Sequence, residues 1–198
     1  PFRLEGQKSI VLEILQGFRW QPPDWIVLPA GNLGNTAAFG KALYEAHQLG
    51  LVDKIPRIAA VQAEGASPFY QSYQNNFSER VTVKASTIAT AIRIGNPVSY
   101  ERAIRTLGWT DGLVTAVTDD EIMDAKAMVD QVGIGCEPAS AASVAGIRKL
   151  IAGGVIKPEE TKTEDVAEDI EQEQEPEPEP PKVNQRALYR GNTDTAGD

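Results

Sequence analysis

The chain has 198 residues, of which 41% are apolar and 24% are charged, a composition typical of a globular domain. No apolar run is long enough to cross a membrane and no signal-peptide pattern occurs, so the sequence predicts a soluble protein. The single cysteine, Cys136, excludes an intramolecular disulfide and favours a cytoplasmic location, and the single histidine, His47, argues against a multi-histidine metal site. Because Pro1 stands where a methionine is usual, we expect a processed or truncated chain.

Charge divides the sequence into two parts. Residues 1–158 contain 15 acidic and 15 basic residues, so the formal net charge of -9 comes from residues 159–198. We therefore predict an ordered domain portion over 1–158 and a disordered, Pro- and Glu-rich acidic tail over 159–198. The tail is either a solvated extension or an interaction arm for a basic partner. No basic cluster points to nucleic-acid binding.

Apolar periodicity predicts an alternation of helices and strands. In chain order, it predicts a helix over 5–18, a strand over 25–29, a turn over 31–35, a helix from about 38 to 50, a strand over 57–63, a short helix capped by Ser67 and opened by Pro68, a helix over 99–107, a strand over 113–117, a helix over 118–131 opened by a capping box, and a helix over 137–151. This alternation indicates an α/β fold with an open, mostly parallel sheet and helices on both faces.

The turn Gly31-Asn-Leu-Gly-Asn35 lies between a predicted buried strand and a helix. Glycines let backbone N–H groups turn inward, and the helix adds the positive end of its dipole, an arrangement that binds phosphate. Ligands of open α/β sheets bind at this end of the strands. The alternative is a tight turn without function, since neither the Walker pattern nor a dinucleotide fingerprint is present.

Four other residues carry weaker predictions. Arg3, just before the first predicted helix, is either a surface residue or a partner for a phosphate or carboxylate. Glu137 either faces a ligand or complements the dipole of the last helix. His47 lies near the end of a helix, where it interacts favourably with the helix dipole, and Cys136 suits a small core position. The residues alone thus predict a protein that binds a phosphate group.

Four segments, in this order and spacing, resemble the threonine synthase family of fold-type-II pyridoxal-phosphate enzymes, whose fold is tryptophan synthase β-like. They are Pro1-Phe-Arg-Leu-Glu-Gly-Gln-Lys8, Leu28-Pro-Ala-Gly-Asn-Leu-Gly-Asn35, Thr87-Ile-Ala-Thr-Ala-Ile-Arg-Ile-Gly-Asn-Pro97 and Cys136-Glu-Pro-Ala-Ser-Ala-Ala-Ser143. The resemblance covers residues 1–160. It implies a lyase with pyridoxal 5'-phosphate as cofactor that converts O-phospho-L-homoserine and water into L-threonine and phosphate, in threonine biosynthesis.

The resemblance also implies the roles of individual residues. Those that match the loop holding the cofactor phosphate are Gly31, Asn32, Leu33, Gly34 and Asn35. Those that match the binding site for the substrate phosphate are Arg3 and Asn32, and those similar to pocket residues near the cofactor ring are Glu137 and Ser140. No metal ligand and no catalytic residue is implied within the chain.

The sequence departs from the family pattern at both ends. The family's Schiff-base lysine stands in a Ser-Phe-Lys-Asp-type motif upstream of the first matching segment, and none of the lysines here has that context. After Thr161 the acidic tail replaces an apolar strand and a Leu-Thr-Gly-His-Gly-type turn. We therefore expect an incomplete domain with an unpaired sheet edge, inactive alone, arising from a truncated gene, a frameshift or one half of a split enzyme. The implied partners are the amino-terminal segment or further copies of the chain.

Three alternatives remain open at this point. The chain is a fragment of a threonine or serine dehydratase-like lyase, a non-catalytic module that binds phosphate or pyridoxal phosphate, or an interaction protein that acts through its tail. A dehydratase would share the glycine loop but would not need Arg3, because its substrate has no phosphate group.

Overall fold

The computed structural model describes residues 2–157 and 159–160. The three short apolar runs form strands β1 (Trp25–Pro29), β2 (Arg57–Ala63) and β3 (Leu113–Val117). The segments between and around them form helices α1 (Phe2–Gly17), α2 (Gly34–Gln48), α3 (Pro68–Gln74), α4 (Tyr100–Thr110), α5 (Asp119–Gln131) and α6 (Pro138–Ala152). Two single 3-10 turns, Glu64–Ala66 and Thr90–Ile92, complete the regular structure.

The strands form one parallel sheet in the order β1-β2-β3. Ile26 lies opposite Ile58, and Val61 lies opposite Thr115. Six of the seven residues of β2 are buried, because parallel strands joined by helical crossovers are covered on both faces. All three carboxyl ends therefore lie at the same edge of the sheet.

Alternate residues of the strands contact helices on opposite faces. One face packs on α5 and α6 and includes Trp25, Val27, Ala59 and Val61. The other packs on α1 and α2 through Ile26, Leu28 and Ile58, and on α3 and α4 through Ala60 and Val114. The prediction of an open, parallel α/β sheet with helices on both faces is confirmed.

Small residues bring two helices into close contact with their neighbours. A Cβ at Gly40 of α2 would stand 2.1 Å from Thr106 Oγ1 of α4, and a Cβ at Gly146 of α6 would stand 2.4 Å from Val61 Cγ2 of β2. Real Cβ atoms do not approach neighbours so closely, so both positions need glycine. These contacts hold α4 closely against α2 and α6 closely against the sheet.

The beginnings of two helices and the cap of a third differ from the predictions. α1 begins at Phe2, so Arg3 lies inside its first turn and not before it, because Leu4 packs on the α1–α2 cluster and extends the helix. α2 begins at Gly34, inside the predicted turn. Pro68 opens α3 as predicted, but the Ser67 hydroxyl donates to Glu64 O (2.7 Å) and does not cap the helix. The capping box of α5 is confirmed.

No helix between residues 2 and 157 combines the length and apolar character needed to cross a bilayer. The predicted disorder of the tail concerns residues 159–198, of which 161–198 lie outside the described part of the chain.

Candidate functional site

A cavity of about 430 Å³ opens at the carboxyl end of β1. Its volume lies within the range of small-molecule sites, roughly 300–1,000 Å³. Four separate parts of the chain form its wall: the first turns of α1, the segment from Pro29 to Asn35, residues 91–102, and the start of α6. The lining includes every residue that the sequence predicts at a site: Arg3, Gly31, Asn32, Leu33, Gly34, Asn35, Glu137 and Ser140.

The loop after β1 exposes the backbone donors of α2 to the cavity. Leu33, the residue before the helix, has left-handed backbone angles (φ 62°, ψ 15°) and a buried side chain. The first helical bond runs from Ala37 N to Leu33 O (3.0 Å). The N–H groups of Gly34 and Asn35 therefore have no acceptor within the helix, and no side chain caps it. An anion is the natural partner of these donors.

Residues 91–99 pack directly on this loop and hold it in place. A Cβ at Gly31 would lie 2.9 Å from Ile92 Cα, so a side chain at Gly31 would displace the loop. Val98 N donates to Asn32 Oδ1 (2.7 Å), and Ser99 N donates to Asn32 O (3.2 Å). Because a backbone N–H needs an acceptor, the first bond fixes the amide orientation of Asn32 and leaves its NH2 group as a donor.

Gly34 differs from Gly31 in having space around it. A Cβ at Gly34 would meet only Gln7 Oε1, at 3.8 Å, and Gln7 itself lines the cavity. Gln7 Oε1 is buried without a hydrogen-bond partner among the described residues. A buried amide oxygen that has no partner is costly unless a ligand supplies one. The start of α2 at Gly34 is therefore loosely packed on the side that faces Gln7 of α1.

The first turn of α1 brings Arg3 to the same cavity. Two ion pairs hold this end of α1 on α2, one between Lys8 and Glu45 (2.6 Å) and one between Lys41 and Glu5. Lys41 and Lys8 hydrogen-bond to the Glu5 carboxylate and lower the pKa of that carboxyl to about 2. The Glu5 and Lys8 charges thus persist over the physiological pH range and keep Arg3 at the cavity.

α6 supplies the opposite wall. Glu137 is the residue before α6, with extended backbone, and Ser140 lies in the first turn, so both predicted pocket residues reach the cavity. Glu137 is the only acidic residue of the lining, and none of the described lining residues is a lysine. The covalent lysine anchor that the resemblance implies is therefore not among the described residues of this wall.

Two predictions concerned residues away from the cavity. His47 lies in the last turn of α2, at the end remote from the loop, as predicted. Cys136 is half-buried and packs against the cluster between the sheet and α6, so it lies at the margin of the core and not within it as predicted.

Sequence reasoning missed Gln7, Ser99 and Arg102, which also line the cavity. Ser99 and Arg102 stand at the start of α4, more than sixty residues after the loop, and no local pattern connects the two. Gln7 was within a matched segment, but its neighbours Gly6 and Lys8 give no reason to single it out. Only the packing of α1 and α4 against α2 assembles these residues.

The family described as "Pyridoxal-phosphate dependent enzyme" matches residues 1–163. The chain is 46% identical over 156 residues to threonine synthase 2, chloroplastic, of Arabidopsis thaliana, a match that covers 78% of this chain and 30% of that protein. It is 43% identical over 162 residues to threonine synthase of Methanocaldococcus jannaschii, covering 81% and 40%. The chain thus matches well under half the length of these relatives.

Among solved structures, the processed form of threonine deaminase isoform 2 from Solanum lycopersicum superimposes with a TM-score of 0.65 at 20% identity, covering 80% of this chain and 43% of that one. This likeness concerns the fold alone. The family match, in contrast, extends over all the segments that form the cavity, and the chain therefore belongs to the family of pyridoxal-phosphate dependent enzymes.

Proposed function

We propose that this chain is the phosphate-binding portion of a threonine synthase, a lyase that converts O-phospho-L-homoserine and water into L-threonine and phosphate. The observation that carries the proposal is the cavity at the end of β1, where the uncapped start of α2 and Arg3 face one space. Two kinds of anion donor at one site suit a reaction in which cofactor and substrate each bring a phosphate group.

The residues present fit pyridoxal 5'-phosphate. Gly34 leaves room where a Cβ would stand in the cavity, and the free N–H groups of α2 supply donors for a phosphate. The apolar wall formed by Pro29, Ile92 and Ala139 suits an aromatic ring. When bound, this cofactor supplies an electron sink for carbanion chemistry.

In this proposal the chain binds and orients both phosphates. The N–H groups of Gly34 and Asn35 and the NH2 group of Asn32 hold the cofactor phosphate. The Arg3 guanidinium binds the substrate phosphate, which Asn32 also reaches, and the charge of Arg3 stabilises the negative charge that grows on that group as the C–O bond breaks. Glu137 and Ser140 close the cavity from α6, beside the cofactor ring.

Arg3 is the residue that favours a synthase over a dehydratase. A dehydratase acts on a hydroxyl-bearing substrate without phosphate, so it would not need a guanidinium at this wall to bind a substrate phosphate. The relatives named threonine synthase are 43–46% identical to this chain, whereas the threonine deaminase match is at 20% identity and concerns the fold. Both lines support the synthase.

The first test is binding to the full 198-residue chain, measured by calorimetry with pyridoxal 5'-phosphate and then with O-phospho-L-homoserine. We expect both to bind, and Arg3→Ala to weaken the second about 10- to 100-fold while leaving the first unchanged. Arg105→Ala, which alters an exposed arginine outside this cavity, is the matched control. Equal binding of homoserine and O-phospho-L-homoserine would contradict the proposal.

A second test addresses turnover. Residues 1–160 replace the matched region of the M. jannaschii enzyme, which supplies the remainder of the protein. We expect the chimera to release phosphate from O-phospho-L-homoserine and to leave L-serine and L-threonine unchanged. Ammonia release from L-threonine without phosphate release would instead identify a dehydratase.

A further inference from the structure

A second arginine, Arg102, lines the same cavity as Arg3. It stands in the first turn of α4 and is exposed, as Arg3 is in the first turn of α1. Within the described residues neither guanidinium has an ion pair or hydrogen bond. Arg102 lies outside the four segments that resemble the threonine synthase family.

Both arginines break the usual rule for charges on helices. The amino end of a helix carries the positive end of its dipole, so a cation in the first turn is unfavourable there. Arg3 and Arg102 each have this unfavourable interaction with the helix dipole, and among the described residues no carboxylate pairs with either of them. Local rules are most often broken at functional sites, where a ligand supplies the compensation.

Packing brings the two helices that carry the arginines against α2. The Lys8–Glu45 ion pair holds α1 on α2, and the Gly40–Thr106 contact holds α4 on α2. A smaller neighbouring cavity is lined by Leu4 of α1, Ala37 of α2 and Arg102, so the three helices also meet there. Arg3 and Arg102 therefore line one cavity from two different helices.

The charge of this space matches a phosphate monoester. Such a group carries a charge between about -1.5 and -2 near neutral pH, and each guanidinium can donate two parallel hydrogen bonds to it. The acidic residue of the lining, Glu137, belongs to α6 on the other face of the sheet, whereas α1, α2 and α4 share one face. The loop N–H groups already supply donors for the cofactor phosphate, so the two arginines remain for a second anion.

We propose that Arg102 and Arg3 together bind the phosphate group of a phosphomonoester substrate, with Arg102 providing half of a two-arginine clamp. This proposal rests on the proposed function, because that function supplies the second phosphate. The clamp discriminates between a phosphorylated substrate and its free alcohol, since the alcohol offers no anion for the two guanidiniums to bind.

The experiment uses ³¹P NMR on the full chain loaded with pyridoxal 5'-phosphate and titrated with O-phospho-L-homoserine, because the two phosphates give separate resonances. We expect Arg102→Ala to weaken substrate binding about 10- to 100-fold, with the cofactor resonance and its affinity unchanged. Arg102→Lys should restore part of the loss, since lysine keeps the charge but not the bidentate geometry. Arg105→Ala, one turn along α4 and outside the main cavity, should have no effect.

The outcomes separate this proposal from the proposed function. Loss of substrate binding in Arg3→Ala but not in Arg102→Ala overturns the clamp and leaves the proposed function standing. Unchanged binding in both variants overturns the assignment of a substrate phosphate to this wall altogether. An equal loss of cofactor and substrate binding in Arg102→Ala, with an unchanged melting temperature, also overturns the clamp, because it would assign Arg102 to the cofactor phosphate.

Discussion

Two groups of helices in this protein begin in opposite ways. α3 and α5 begin on side chains of the protein: Gln62 Oε1 accepts bonds from Phe69 N (2.9 Å) and Tyr70 N (3.0 Å), and Thr118 with Glu121 forms a reciprocal capping box. α2, α4 and α6 have no side-chain cap, and all three begin at the cavity. The fold thus satisfies helix donors away from the cavity and leaves them available around it.

The difference indicates where backbone N–H groups are available to donate hydrogen bonds to a ligand. A side-chain cap stabilises a helix by about 1 kcal/mol, so an uncapped helix gives up that amount unless another acceptor is bound. Three such helix ends around one cavity, with two arginines beside them, create a positive potential that favours phosphate groups. Ligand binding is therefore expected to raise the stability of the folded chain.

Gln62→Leu is expected to have the largest effect on stability. Besides capping α3, Gln62 donates from Nε2 to Ala30 O (2.9 Å), and the side chain is fully buried. Leucine has a similar volume but leaves two N–H groups and one carbonyl without partners, at about 1–3 kcal/mol each. Urea unfolding should show a loss of about 3 kcal/mol or more.

Gln74→Leu is the control for that change, since Gln74 lies on the same helix with an exposed side chain. It should change stability by less than about 0.5 kcal/mol. If Gln62→Leu and Gln74→Leu changed the free energy of unfolding equally, the Gln62 cap of α3 would not contribute to stability. The difference between capped and uncapped helices would then have no energetic consequence.

Gly34→Ala tests an open helix end and should separate binding from stability. A Cβ there meets only Gln7 Oε1 at 3.8 Å, so the fold should tolerate it and gain up to about 0.5 kcal/mol from the better helix former. The same Cβ occupies space beside the phosphate, so we expect at least a roughly tenfold loss of affinity for pyridoxal 5'-phosphate, about 1.4 kcal/mol. Calorimetry and urea unfolding measure the two effects.

Gly31→Ala is the matched comparison for Gly34→Ala. Here the Cβ would lie 2.9 Å from Ile92 Cα, a backbone atom, so both stability and binding should fall. Unimpaired cofactor affinity in Gly34→Ala would show that the phosphate is held elsewhere and that the open end of α2 has no ligand.

Thr118→Ala removes the capping box from a helix that begins away from the cavity. We expect a loss of about 1 kcal/mol in the free energy of unfolding and no change in the affinity for either phosphate ligand. Thr118→Ser keeps the hydroxyl acceptor and should retain most of the stability. A weaker ligand affinity in Thr118→Ala would mean that α5 and the cavity are coupled, contrary to the separation described above.

The helix ends that a side chain caps, those of α3 and α5, could be predicted from sequence only where the capping residue is close in the chain. The pattern Thr118-Asp-Asp-Glu121 contains both partners of its box within four residues, and its prediction is confirmed. The cap of α3 comes from a strand residue, and Ser67 was the better local candidate, so the prediction failed. Periodicity predicted the sheet and its helices because burial on two faces leaves a repeating pattern in the sequence.

The uncapped helix ends at the cavity could be predicted from sequence only in part. Gly31 and Gly34 indicated a phosphate loop, but Leu33 gave no sign of its left-handed backbone, since glycine or asparagine is the usual residue there. The role proposed for Arg3 comes from a family resemblance, not from its own sequence context. Arg102 and Gln7 reach the cavity through the packing of α1 and α4 on α2, which depends on contacts such as Gly40–Thr106.

The smallest expected effect comes from the ion pairs that join α1 to α2 at the open end. The hydrogen bonds from Lys41 and Lys8 lower the pKa of Glu5 from 4.5 to about 2, so its contribution to stability is fully present above pH 4.5 and is lost as the pH falls towards 2. We expect Glu5→Gln to flatten the pH dependence of the free energy of unfolding in urea within that window. The pH dependence near neutrality should be the same in the variant as in the unsubstituted chain. Glu13→Gln, on the exposed side of α1, is the control.

Because these pairs hold α1 where Arg3 lines the cavity, Glu5→Gln should also weaken binding of O-phospho-L-homoserine more than binding of pyridoxal 5'-phosphate. An equal effect on both ligands would mean that α1 does not position the substrate side of the site independently of the loop.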